Sequence, residues 1–150
     1  MRAALDTNIL AYAEGANGPA RKDAALALID RLPASEIAVP AQALGELFNV
    51  LVRKAGRSPA EARVAVRAWQ DIFAVIDTTD RVLTRATDLA ADHRLSIWDS
   101  VILAAAAEAG CRLLISEDMQ PGFTWGGVTI VNPFAAAPQS ALALLLRDPE

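Results

Sequence analysis

Arg2-Ala3-Ala4-Leu5, followed at once by Asp6-Thr7-Asn8, is the stretch on which the fold of this 150-residue chain turns. It is a short run of strand length that stops at a carboxylate. Similar runs recur at Glu36-Ile37-Ala38-Val39, Phe73-Ala74-Val75-Ile76, Arg112-Leu113-Leu114-Ile115 and Val128-Thr129-Ile130-Val131. They are mostly β-branched or leucine, as buried strands are. Helical patterns fill the intervals. Gly18-Pro19 opens one, with Ala25, Leu28, Ile29 and Leu32 at three-to-four spacing, and Pro40 opens a second carrying Leu44, Leu47, Phe48 and Leu51 on one stripe. Ser58-Pro59-Ala60-Glu61 reads as a capping box and predicts a helix to about Asp71. Residues 80–93 and 97–109 complete the set, with Gly110 placed to end the last. This alternation predicts a parallel sheet covered by helices on both faces, a three-layer α/β fold, in one domain over residues 1–150.

Composition narrows the function. With 53% hydrophobic and 21% charged residues, the chain is expected to build a core rather than stay disordered. A net charge of −4 excludes a generically basic nucleic-acid coat. The one cysteine, Cys111, cannot close an internal disulfide, and the one histidine, His93, cannot make a histidine-rich metal site. Asp6 interrupts the apolar core that a signal peptide needs. The uncharged stretch 119–146 is broken by Pro121, Gly122, Gly126, Gly127, Asn132, Pro133 and Pro138. No membrane-spanning helix is expected, and a cytoplasmic protein is the default.

In open parallel sheets, ligands bind beyond the carboxyl ends of the strands. Asp6-Thr7-Asn8 stands there after the first strand and Ser116-Glu117-Asp118 after the fourth, while Glu46 and Asp99 sit in early turns of apolar helices. Each acid has an ordinary explanation. Asp6 would cap a helix, Asp99 would close a capping box begun by Ser96, Glu46 would pair with a surface cation, and Asp118 would be a loop acid. Four acids from four segments near one sheet edge are harder to explain separately. Two carboxylates about 4 Å apart repel by roughly 4 kcal/mol at an effective dielectric near 20, so a cluster calls for a cation. Oxygen ligands without His or Cys favour Mg²⁺ or Mn²⁺. Such an ion activates water against a phosphodiester without a histidine.

The segments Leu5-Asp6-Thr7-Asn8-Ile9-Leu10, Leu44-Gly45-Glu46-Leu47, Ile97-Trp98-Asp99-Ser100-Val101-Ile102 and Ser116-Glu117-Asp118 resemble, in order, the acidic motifs of PIN-domain ribonucleases. Among these the chain is most similar to the toxin of VapBC-type toxin–antitoxin pairs. The resemblance runs from residue 3 to about 134, including Val131-Asn132-Pro133, and leaves 135–150 as a C-terminal extension. It implies a sheet of about five strands in the order 3-2-1-4-5, Mg²⁺ or Mn²⁺, endoribonuclease activity, a homodimer, and an antitoxin that occludes the site. It also implies catalytic roles for Asp6, Glu46, Asp99 and Asp118, with Asp6, Asp99 and Asp118 on the metal and Asn8 and Ser116 as polar supports. Whether Glu117 or Asp118 points inward is open, the Ser-x-Asp pattern favouring Asp118. Leu142, Leu144, Leu145 and Leu146 are expected to pack on the domain or on a second subunit.

An acidic RNA-binding protein needs local cations. Residues 53–67 hold Arg53, Lys54, Arg57, Arg63 and Arg67 against Glu61 alone, a net +4 that leaves −8 on the rest of the chain. Arg53, Lys54 and Arg57 are the candidate phosphate contacts. Phe123 and Trp125 are expected against the sheet rather than stacked on bases, Trp98 in the core, His93 on a helix surface and Cys111 buried. Two other functions stand beside the nuclease. One is a non-catalytic PIN-like module that binds RNA or a partner. The other is an aspartate-nucleophile phosphatase on Asp6, for which position 8 is Asn rather than a second acid and the lysines are only Lys22 and Lys54.

Overall fold

The run Ala3–Leu5 forms β1, buried at every residue because strands flank it on both sides. In the computed structural model, which describes residues 1–136 and 140–146, β1 is followed by α1 (Thr7–Ala13), α2 (Pro19–Arg31), a short 3-10 turn (Ala34–Glu36), β2 (Ile37–Pro40), α3 (Ala41–Arg53), α4 (Pro59–Ile72), β3 (Ala74–Ile76) and α5 (Asp80–His93). Then come α6 (Ile97–Glu108), β4 (Leu113–Ile115), β5 (Thr124–Trp125), β6 (Val128–Val131) and α7 (Ser140–Leu145).

The sheet order is β3-β2-β1-β4-β6-β5. The five expected strands are parallel and take the expected 3-2-1-4-5 order, with β6 as the fifth. The short β5 is an addition, antiparallel to β6 at the edge. Gly126 and Gly127, at φ +57° and +81°, make the two-residue turn that such a hairpin requires. A Cβ on Gly126 would lie 3.1 Å from both Ala107 and the Arg85 guanidinium.

Local chemistry explains the helix ends. The capping box at Ser58 is complete, Ser58 Oγ accepting from the Glu61 N–H at 3.1 Å. Gly110, at φ +74°, follows the C-cap of α6. Within α6, Ser100 to Ala106 are all buried, which is why that helix shows no polar stripe. Helix α1 goes beyond the predicted set; Asp6 starts it immediately after the strand.

Two core expectations are corrected. Trp98 is not in the core but 55% exposed, because it protrudes from the first turn of α6 before that helix enters the interior. Phe48 does not share the buried stripe of Leu44, Leu47 and Leu51; it faces a groove between α3 and α4. Cys111 is buried and His93 exposed, as expected. Phe123 and Trp125 are half-buried against the core. In the C-terminal extension, Leu142 and Leu145 pack on the core, Leu146 is half-buried against it and Leu144 is exposed, while 137–139 and 147–150 lie outside the described residues.

One polar clamp holds α1 to the α3–α4 pair. Glu14, the C-cap of α1, accepts from Arg57 Nη1 at 2.9 Å and from Trp69 Nε1 at 2.9 Å, and its carbonyl accepts from Arg57 Nη2 at 2.6 Å. Hydrogen bonds to charged groups are worth roughly 1.5–3 kcal/mol each when partly buried. Glu14→Ala is therefore expected to lower the urea midpoint, by about 2 kcal/mol in stability at an unchanged m value, and Glu14→Gln by less, since one oxygen still accepts from Trp69.

Candidate active site

The register of β1 with β4 pairs Leu5 with Ile115, so the first residues past each strand, Asp6 and Ser116, lie side by side. The Asp6 N–H donates to the Ile115 carbonyl at 3.0 Å. The Asp6 backbone is extended, and its Oδ1 accepts from the Thr7 N–H at 2.7 Å. Its Oδ2 accepts from Ser116 Oγ at 2.7 Å and Asn8 Nδ2 at 3.2 Å. Ser116 Oγ also accepts from the Met119 N–H, and Asn8 Oδ1 from the Glu117 N–H, both at 3.2 Å. Asn8 and Ser116, buried like Asp6, thus orient its carboxylate.

Glu46 arrives on α3. Its Oε2 accepts from Thr7 Oγ1 at 2.9 Å. Asp99 arrives on the first turn of α6, where its N–H donates to Ser96 Oγ at 3.1 Å. Ser96 therefore caps α6, without the reciprocal bond that would make the expected capping box, and the cap does not exclude a second role for the half-buried carboxylate. Asp118 lines a cavity with Asn8 and Lys54.

Electrostatics joins the four acids. Burial pushes the Asp6 carboxyl up to about 6 against the lowering effect of Ser116 and Thr7, and the charges of Asp99 and Glu46 push it further. Burial also raises Glu46, with Asp99 adding to it. Burial raises Asp99, with Asp118 adding to it. The four acids thus form a chain of neighbouring charges, Glu46 and Asp99 acting on Asp6, Asp99 on Glu46, and Asp118 on Asp99.

Among the described residues, no three His, Cys, Asp or Glu side chains converge closely enough to hold one ion unaided. The acids form an open basin rather than a cage. Their donor chemistry still fits a hard divalent ion, since Mg²⁺ often takes only one or two carboxylates together with waters and substrate phosphate.

Glu117 turns elsewhere. Tyr12 Oη donates to its Oε1 at 2.8 Å and Arg21 Nη2 lies 2.7 Å from its Oε2. Of the candidate phosphate contacts, Arg57 is held by Glu14 and Arg53 donates to Asn49 Oδ1 at 2.8 Å. Lys54 is exposed, its side chain with no hydrogen-bond or ion-pair partner among the described residues. Sequence reasoning missed Thr7 as the link to Glu46, and Tyr12 and Arg21 as the holders of Glu117. The hydroxyl beside the first carboxylate was the available signal for Thr7; nothing local marked the other two.

The raised Asp6 carboxyl has a consequence for stability. A group that ionises less readily folded than unfolded favours folding while protonated, and that contribution, full below about pH 4, is lost as pH rises through 6. From the ordinary 3.8 to about 6 this is on the order of 3 kcal/mol. Metal-free protein should lose stability between pH 4 and 7 in urea titrations, and Asp6→Asn should flatten the profile by about that amount. The variant's gain at pH 7 should be smaller than the full penalty, because Asn offers one acceptor oxygen where Asp6 uses two. Identical profiles for the two proteins would contradict the buried charge.

The PIN domain family model matches residues 3–121. Among solved structures, the chain is similar to VapC20 of Mycobacterium tuberculosis, described as a sarcin-ricin loop cleaving toxin, with TM-score 0.63 and 22% identity over 75% of this chain and 86% of that one. It is similar to a toxin–antitoxin complex from Klebsiella pneumoniae, with TM-score 0.67 and 21% identity over 88% and 98% of the two chains. The DNA-bound VapBC of Salmonella typhimurium gives TM-score 0.61 and 17% identity over 87% and 96%. No curated protein matches the chain. The structural likenesses, all below 25% identity, establish a fold shared with toxins of VapBC systems, and the family match covers the segments that carry Asp6, Glu46, Asp99 and Asp118: this chain belongs to the PIN-domain family.

Proposed function

We propose that this chain is a cytoplasmic endoribonuclease dependent on Mg²⁺ or Mn²⁺, and the toxin of a toxin–antitoxin pair. The observation that carries the reading is the mutual field of Asp6, Glu46 and Asp99 at the carboxyl edge of the sheet, all three held above their ordinary range, with Asp118 acting on Asp99. Asp6, Asp99 and Asp118 would hold the ion together with waters and substrate phosphate, since the three do not converge on one point unaided; when bound it would acidify a water and stabilise charge on the phosphodiester oxygens. Glu46 is the base. Thr7 holds its Oε2, its Oε1 has no hydrogen bond among the described residues, and its raised pKa makes it the better proton acceptor for the attacking water. Asn8 and Ser116 keep the Asp6 carboxylate from rotating.

The likeness to toxin–antitoxin complexes supports an antitoxin partner; the homodimer rests on the resemblance in sequence alone. The absence, among the described residues, of a helix long and apolar enough to cross a membrane fits that placement.

Asp6→Asn, Asp99→Asn and Glu46→Gln should each reduce RNA cleavage by more than about 100-fold while leaving circular dichroism unchanged, a loss beyond the 10–100-fold typical of supporting residues. Excess chelator should do the same to the wild type. Glu117→Gln should stay within about threefold, since Arg21 and Tyr12 hold that side chain. Saturating Mg²⁺ or Mn²⁺ should stabilise the wild type, by about 2.7 kcal/mol at a hundred times its dissociation constant, and Asp6→Asn much less. Cleavage that survives chelation or the Asp6 substitution would refute this function.

A further inference from the structure

Beside the acidic basin lies a cavity of ≈ 310 Å³ between the α1–α2 turn and the C-terminal end of α3. Its lining includes Asn8, Tyr12, Asn17, Val50, Lys54 and Asp118. Asp118 makes it continuous with the proposed reaction site. The polar groups around it divide into those already engaged and those free. Both ends of the Asn8 amide are used, on Asp6 and on the Glu117 N–H. The Tyr12 hydroxyl is used on Glu117, so Tyr12 and Val50 present mainly carbon to the cavity. The side chains of Asn17 and Lys54 are exposed and have no hydrogen-bond or ion-pair partner among the described residues.

The spacing of the two walls is set from behind. Arg57, three residues past Lys54, is pinned to Glu14, three residues before Asn17. A cavity of this volume is at the small end of ligand sites, roughly 300–1,000 Å³, and suits one nucleotide unit rather than a duplex. A flat base needs an apolar wall and an edge partner, and its phosphate needs a cation. In single-stranded RNA, bases are splayed out, stacked on aromatic rings and read at their edges.

We propose that this cavity is a nucleotide subsite for single-stranded RNA, seating the base next to the cleaved bond against Tyr12, with Asn17 on the base edge and Lys54 on the adjoining phosphate. An amide carries both a donor and an acceptor and so discriminates among bases, whereas an ammonium on phosphate does not. The subsite rests on the RNA-cleaving function proposed above.

The test is fluorescence anisotropy of labelled A, C, G and U hexaribonucleotides with the full-length chain carrying Asp6→Asn, which keeps the probe intact. The parent should bind the four unequally. Adding Asn17→Ala should bring the ratio of tightest to weakest dissociation constant toward one. Adding Lys54→Ala should weaken all four by about tenfold and lower the salt slope by about one. Both positions are exposed, so loss of folding does not confuse the result. Equal affinities in the parent, or values within twofold of the parent in both variants, would overturn the subsite. Binding that responds to both substitutions, together with wild-type chain that cuts no RNA in Mg²⁺ or Mn²⁺, would support the subsite and overturn the activity. Wild-type cleavage together with unaltered binding in the variants would do the reverse.

Discussion

A carboxylate that is 3% exposed at the end of a central strand is the constraint on which the rest of this structure depends. Such a group is tolerated only with hydrogen-bond donors around it. Those of Asp6 come from different levels of the fold. The Thr7 N–H belongs to the turn itself, Asn8 to the first turn of α1, and Ser116 to a segment 110 positions away brought alongside by strand pairing. Side chains alternate along a strand, so a one-residue slip of β4 would turn Ser116 away. The register of two three-residue strands thereby decides whether the site exists.

Those donors lower the cost of the charge without removing it, since the Asp6 carboxyl still stands at about 6. Glu46 and Asp99 carry the same strain in milder form, and no Lys or Arg is paired with any of the three among the described residues. Glu117 shows what the fold does with an acid of another kind. It lies next to Asp118 in sequence, yet Arg21 neutralises it and Tyr12 donates a hydrogen bond to it. The difference lies in what surrounds each carboxylate. A group already paired gains little from a cation, while a group left under repulsion gains much.

Much of this was legible in the chain. Apolar runs of strand length, helical periodicity, Pro at helix starts and the Ser58 capping box located five of the helices and five of the strands, because those signals act within a few residues. The four acids stood out through their positions after strands or in early helical turns. What escaped depended on contacts between distant segments. Trp98 reads as core by residue type and is exposed because of where α6 meets the sheet. Arg57 reads as a free cation and is taken by Glu14, 43 positions away. The Thr124–Trp125 strand had its signal in Gly126-Gly127, but two residues of strand are too short for periodicity to register.

The distribution of cations settles how an acidic chain would hold an acidic polymer on the RNA-cleaving function proposed here. The net +4 of residues 53–67 suggests a basic platform, yet the structure disperses it. Arg57 is spent on Glu14, Arg53 is tethered to Asn49, and Arg63 and Arg67 line the groove between α3 and α4 with Phe48 and Val66. Attraction at a distance scales with phosphates neutralised, and although only Arg57 of the five is ion-paired among the described residues, the others do not share one patch, Lys54 lining one cavity and Arg63 and Arg67 another groove. An overall charge of −4 works against long-range steering as well. Beside the acids, where Lys54 is the cation lining the cavity, grip would come from short-range interactions: a divalent ion shared between carboxylates and phosphate, that lysine, and the fit of a base in a small cavity. A protein bound that way selects its RNA by shape and hydrogen bonding more than by charge, which is the regime in which an enzyme cuts few sequences rather than many.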